Sequence, residues 1–385
     1  MFFREAGRRA RAGRRPRPRP PRAMLLDAMA AELLGAVPAV GRAAVSAALA
    51  HPLVDRLRRV AQCGAVPALR AVTRYDHSVG TATLAARAAR ASGATAREAT
   101  AVALAGLLHD AGHGPYSHAF DEQYEPAEPL PVHEHRGARL AADVLAETAP
   151  GLVAWVQHCI APDAFPCPDA RRAFLGEIVA NHRHGIDVDK LDYVRRDATA
   201  AHLEAAAPYD AAATAEAAYV DADGHWNHAR AADVALVLHA RQMLHDDVYS
   251  CPAACAVHAA VGELLAELDA VRAADACVPP RARCGFRRSV RHAAADARWW
   301  AGFDDNFVGR VAGSAAPECA RAAALARGIL HAEGALRRGC ACCAARAGAP
   351  RELGHGGGAG AQRPAARLVG GAGGWACGRG LAPAA

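Results

Sequence analysis

Between His51 and about Val271 the apolar residues recur at intervals of three and four, and almost nowhere do they alternate. That period belongs to helices with one buried face, and it leaves little room for a sheet. Stretches such as TAREATAVALAGLLHD, EHRGARLAADVLAET, RRAFLGEIVANH, DVDKLDYVRRDA, ADVALVLHARQMLHDDVYS and AAVGELLAELDAV each read as a helix, separated by short Gly or Pro breaks. The expectation is an all-α domain of roughly 220 residues, long enough to bury a substantial core. The chain divides accordingly into a basic Arg/Pro-rich disordered tail (1–23), leading Ala-rich helices (24–50), the helical domain (51–275), and a degenerate, mostly disordered low-complexity region (276–385).

Charge narrows the function classes. The formal net charge is +6, yet residues 1–22 hold nine arginines against one glutamate, so the body of the chain is slightly acidic. A nucleic-acid binder working through its folded surface is therefore disfavoured, although the arm itself could meet single-stranded nucleic acid. Every apolar stretch is broken by Arg, Asp or His well short of the ~18 residues a membrane span needs, so no membrane partner is expected. Twelve cysteines without a repeated spacing, among them the CACC run Cys340–Cys343, read as reduced thiols of an intracellular protein, nuclear or cytoplasmic. Of the 45 lysines and arginines only Lys190 is lysine, so a compact ammonium is retained where a wide guanidinium is the rule elsewhere.

The polar residues concentrate in LLHDAGHGPYSHAF, which places His109, Asp110, His113 and His118 within ten positions of an otherwise apolar stretch. Four polar groups in such surroundings need a compensating partner. Imidazole nitrogen beside carboxylate oxygen suits a divalent ion such as Fe, Mn, Zn, Mg or Ni. Upstream, TRYDHSVG offers Arg74 and His77 at a helix start; downstream, IDVDKLDYVRRDA offers a carboxylate at Asp187 or Asp189. Asp189, Tyr193 and Asp197 follow at i, i+4 and i+8, and Arg241, His245 and Tyr249 repeat the spacing, so each set lines one helix face.

The order His, His-Asp, Asp resembles the ligand signature of the HD phosphohydrolase superfamily. RYDHSVG, HDAGHGPYSH, HEHRG and NHRHGIDVDKLDYVRRD are similar to successive motifs of the HD-domain deoxynucleoside triphosphate (dNTP) triphosphohydrolases, most of all the vertebrate SAM-and-HD-domain branch, over roughly residues 51–270. The resemblance implies an HD-domain helical fold with His77, His109, Asp110 and Asp189 as metal ligands. It implies that His113, His118, Asp121 and His133 surround the α-phosphate, His118 as acid or water-positioning group. It assigns Arg74, Lys190 and Arg241 to the triphosphate, and Gln62, Tyr193, Asp197 and Tyr249 to the deoxyribose, with His245 on the same substrate-facing stripe. Tyr249 beneath the sugar would exclude a 2′-hydroxyl.

The chain departs from that branch in two expected respects. No SAM domain is read ahead of the HD region, and PYDAAATAEAAYVDADGHW lacks the basic residues of a regulatory nucleotide site. Nucleotide-triggered tetramerisation is thus expected to be lost, leaving a simpler homo-oligomer such as a dimer. Two alternatives to dNTP hydrolysis stay open: an HD phosphohydrolase of another nucleotide or phosphoester, and a weakly active nucleic-acid-binding protein.

Overall fold

The computed structural model describes residues 22–124, 130–279 and 288–338. The Arg-rich arm, the CACC run and the rest of the chain beyond Arg338 lie outside the described residues. Two helices, Arg22–Ala36 and Arg42–Ala50, lead into the helices Arg74–Ala91 and Ala96–Leu108, which form the centre of the molecule. Both central helices start from a capping box, Thr73 with Asp76 and Thr95 with Glu98, each hydroxyl and carboxylate satisfying the other residue's backbone N–H. Their Ala-rich faces let the backbones approach closely. A Cβ on Gly106 would stand 2.9 Å from the Cα of Ala82, so that crossing accepts only glycine.

The helices His133–Leu145, Val153–Ile160, Phe174–Val179 and Val188–Ala200 wrap this pair. A short antiparallel hairpin, Ala218–Val220 with Trp226–His228, pairs Ala218 with His228. Three residues per strand give alternation too short to register in the sequence, and the hairpin is a feature the periodicity did not reveal. The stripe Arg241–His245–Tyr249 also differs from expectation: Ala231–Leu244 is α-helical, but His245–Tyr249 widens into a π-turn. Such widening is frequent at functional sites. Among the described residues no single helix is long and apolar enough to cross a membrane.

The largest difference lies after the helix Pro252–Ala270. The sequence reading ended the folded domain near residue 275, whereas helices continue at Val290–Ala293, Ala297–Trp300, Phe307–Ala312 and Ala320–Arg338. Trp299, Trp300, Phe303 and Phe307 are fully buried in the same core as Phe120 and Leu108. In WWAGFDDNF, Trp299, Phe303 and Phe307 stand at the helical spacing i, i+4 and i+8, but the helix breaks between Trp300 and Phe307. The lobe is held by long-range aromatic packing, to which a periodicity argument is blind.

Candidate active site

The Thr73 cap fixes the first turn of its helix so that Arg74 and His77 both face inward, each nearly solvent-free. The helix Ala96–Leu108 ends in a tight turn, His109–Gly112, which delivers His109 and Asp110 to the same place. That turn seats against the helix His133–Leu145 only because two residues lack a Cβ: on Gly112 it would fall 2.0 Å from the carbonyl of His133, and on Gly137 2.7 Å from that of His109. The helix Val188–Ala200, capped by Asp187 through the N–H of Lys190, brings Asp189 from the opposite side.

Nε2 of His77 lies 3.2 Å from Nε2 of His109 and 2.9 Å from Oδ1 of Asp189. His109 Nε2 is 3.3 Å from Asp110 and 3.5 Å from Asp189. The outer nitrogens are engaged elsewhere: Nδ1 of His77 lies 2.8 Å from Asp192, and Nδ1 of His109 lies 2.8 Å from the carbonyl of Gly106. Those second contacts leave both Nε2 atoms converging on one point, the usual arrangement behind metal-binding histidines. The ligand atoms of His77, His109 and Asp189 all lie within 4.8 Å of one another.

The electrostatics fit a cation. Burial works to lower the pKa of His77, but the carboxylates of Asp189 and Asp192 outweigh it and hold the group at about 10. Burial pushes the other way on Asp110, yet Arg74 and His109 keep its carboxyl well below the ordinary range. An imidazole pair so strongly charged by its carboxylates is a cage whose acidity a divalent ion would neutralise, with nitrogen and oxygen donors that suit Mn, Fe, Zn or Ni. Of the two carboxylates the sequence left open, Asp189 enters this cage. Asp187 instead caps the helix and binds Lys190 Nζ at 2.9 Å.

A second group stands beside the first. His113 and His133 stack with ring centres 3.8 Å apart, His118 meets both edge-on, and their ligand nitrogens lie within 4.8 Å of one another. Asp121 approaches His133 at 3.5 Å and pairs with Arg136 at 2.5 Å. Burial first, and the nearby Arg74 second, drive His113 and His118 well below their usual range, so both are neutral at pH 7. Asp110 joins the groups, its Oδ1 being 3.3 Å from each of His109 and His113.

Arg74 donates to Asp110 and to Oγ of Ser117, both at 2.9 Å. Arg241 donates to the hydroxyl of Tyr193 at 2.9 Å, and Tyr193 in turn meets the ring of His77 edge-on. Tyr249 donates to Asp197 Oδ2 at 2.8 Å. Gln62 Oε1 and Asp197 Oδ1 are buried without a hydrogen-bond partner among the described residues. A cavity of about 450 Å³ opens here, lined by Cys63, His118, His245 and Tyr249. All sixteen sequence-predicted residues therefore fall in or next to one region, but Lys190 is tied to Asp187 and Arg241 to Tyr193. The sequence reading missed Asp192, which orients His77, and Ser117, which braces Arg74. A hint existed for Asp192 in its i, i+4 relation to Arg196, with which it pairs at 2.7 Å; Ser117 carried none.

Residues 74–221, which hold this histidine and aspartate cage, match the HD domain family. HD domains hold divalent metal ions, and His77, His109 and Asp189 form a group that could hold one here, with Asp110 3.3 Å from His109. The chain is 32% identical over 181 residues to the deoxynucleoside triphosphate triphosphohydrolase SAMHD1 of Homo sapiens, covering 38% of this chain and 29% of that protein. It is 31% identical over 182 residues to the enzyme of the same name from Danio rerio, with the same shares. An HD domain-containing protein of Acanthamoeba polyphaga mimivirus is 27% identical over 158 residues, 39% of this chain and 33% of its own. The chain thus spans about a third of the length of these relatives.

Proposed function

We propose that the protein hydrolyses deoxynucleoside triphosphates at the α-phosphorus, releasing a deoxynucleoside and inorganic triphosphate inside the cell, and that it works as a homo-oligomer. The observation that carries this reading is the sharing of Asp110 between the imidazole cage of His77 and His109 and the second imidazole group through His113, with a nucleoside-sized cavity directly beyond His118. The named activity of the relatives supports the same substrate class.

A divalent ion held by His77, His109, Asp110 and Asp189 would supply Lewis-acid polarisation of the phosphoryl group. The chain's own residues do the rest. His113 and His133 each offer an N–H to non-bridging phosphate oxygens, and Arg74 sets a fixed positive charge beside them. The anionic substrate raises the proton affinity of His118, which takes up a proton from solvent and gives it to the 5′-oxygen as water adds to the α-phosphorus and the P–O5′ bond breaks, the proton of the water returning to solvent. Gln62 Oε1 and Asp197 Oδ1, the buried acceptors without partners, take the hydroxyl of the sugar, and Tyr249 beneath it leaves no space for a 2′-hydroxyl. Lys190 and Arg241 would exchange their present partners for the β- and γ-phosphates.

That exchange is also what favours a second reading, an HD phosphohydrolase acting on a shorter phosphoester, because both cations are already paired within the chain. Product analysis separates the two. The protein is incubated with each dNTP, with GTP and with deoxynucleoside monophosphates, in Mn²⁺ and after chelation, and products are resolved by ion exchange, with Asp110→Ala as control. Metal-dependent triphosphate release that vanishes in Asp110→Ala is the expected result. Release of orthophosphate from monophosphates alone would replace the substrate.

A further inference from the structure

The turn that carries His118 is strained, and what holds it comes from the far end of the chain. Tyr116 and Ser117 are consecutive non-glycine residues with positive φ, 60° and 56°. Such a residue is strained and persists only where its surroundings over-determine it. From within the domain, Ser117 Oγ donates to the carbonyl of Ala61 at 2.6 Å while accepting from Arg74. The remaining ties are made by the C-terminal lobe. Oδ1 of Asp305 accepts the N–H of Tyr116 at 2.7 Å, and its Oδ2 accepts the N–H of Ala61 at 2.8 Å. The N–H of Asp305 itself donates to the carbonyl of Arg59 at 3.1 Å. Glu333, buried on the last helix, accepts from the hydroxyl of Tyr116 at 2.9 Å. The indole of Trp300 donates to the carbonyl of Ala111, and fully buried Arg56 bridges the carbonyls of Phe303, Ala111 and His113.

One carboxylate thus spans the two segments that frame the cavity: the Tyr116 turn, which aims His118, and the strand-like edge at Ala61, which precedes Gln62 and Cys63. We propose that Asp305 and Glu333 are positioning residues for His118, so that the C-terminal lobe is a working part of the active site and not a separate appendage. This inference rests on the reading of His118 as a group that acts on substrate. Asp305 fixes the backbone of the turn and Glu333 fixes its ring, and neither touches substrate. A chain cut short before the lobe would leave two amides without acceptors and a strained turn free to relax to ordinary φ values.

Asp305→Asn in the full chain tests it. Asparagine presents one acceptor oxygen and an NH₂ group, so either Tyr116 or Ala61 must point its N–H at another donor. We expect kcat for dNTP hydrolysis to fall about ten- to a hundredfold with KM within about threefold, because misplacing a reacting group by an ångström loses rate more than binding. Amide hydrogen exchange is expected to quicken across 114–120 and 59–63, with exchange in Arg74–Ala91 and the bound-metal content unchanged. Glu333→Gln, which preserves size and removes only the charge, is expected to quicken exchange across 114–120 alone and to lower kcat less. Unchanged exchange across 114–120 in Asp305→Asn, or kcat within about twofold of the parent, overturns the proposal. Should Asp305→Asn fail to fold, Glu333→Gln decides by the same exchange measurement. A parent protein that hydrolyses no dNTP sinks the substrate reading alone, because the exchange result still tests the positioning.

Discussion

The two imidazole groups share one carboxylate, and their histidines shift in opposite directions. His77 sits among Asp110, Asp189 and Asp192 and is pushed up to about 10, while His113 and His118, a few ångströms away beside Arg74, are driven well below their usual range. The residue type is the same and burial is comparable, so the neighbours alone decide. A group that binds a cation must be rich in negative charge, and a group that meets phosphate oxygens must not be. Asp189 and Asp192 charge the first group, while in the second the one carboxylate, Asp121, is paired with Arg136 and Arg74 lies close by, so one site offers both environments.

The sharpest way to break that division is to remove one member from each side. His77→Ala should abolish bound metal, read by elemental analysis, and with it activity, a loss on the order of a thousandfold or more. His118→Gln should leave the metal in place while kcat falls by about a hundredfold or more, the usual contribution of a proton-transfer group. If His118→Gln loses metal as completely as His77→Ala, the two groups are one metal site and the division is wrong.

A finer probe acts on the cage from outside. Asp192 fixes the ring of His77 by taking its Nδ1–H, and Arg196 holds Asp192 in turn. Asp192→Asn weakens the acceptor without emptying the space, and metal affinity should drop by about ten- to a hundredfold, the range typical of such outer partners. Competition titration with a chromophoric chelator measures it. An affinity equal to the parent's would mean that packing alone, including the contact of Thr81 with His77, orients the ring.

These residues differ in how openly the sequence displays them. His77, His109, Asp110 and Asp189 stand in short motifs at helix ends, where a cap or a glycine turn announces the geometry. Asp192 is a third aspartate on the same helix, three residues past Asp189, and nothing local separates ligand from orienter. Lys190 was singled out by its rarity, and the structure offers a plain structural partner for it in Asp187, one turn back. Asp305 and Glu333 act across 189 and 217 residues of chain on Tyr116. Contacts of that span arise from tertiary packing, which the spacing of residues along the chain does not reveal. The helical class was legible because it is a repeated local pattern; the boundary at residue 275 was misplaced because three of the four α-helices described beyond it run only four to six residues.

The division recurs along one helix face. Asp189 and Asp197 are two turns apart on Val188–Ala200, yet His109 and His77 overcome burial to hold Asp189 well below 3.8, whereas burial, only partly opposed by the hydroxyl of Tyr249, lifts Asp197 to about 6. The sign for Asp197 follows from linkage. Its folded pKa lies above its unfolded one, so the folded state keeps a proton that the unfolded chain releases. The stabilisation is complete below about pH 4 and drains away as pH rises to about 6, by up to about 3 kcal/mol. Asparagine mimics the protonated acid, since its carbonyl still accepts from Tyr249 and nothing ionises. Urea unfolding of the parent and of Asp197→Asn between pH 4.5 and 7.5 should therefore diverge, the variant gaining relative stability as pH rises while every other titrating group cancels in the difference. Parallel profiles would show that Asp197 ionises as freely as an exposed carboxylate, and that its unpartnered oxygen is already served by water entering from the cavity rather than reserved for a hydroxyl of the sugar.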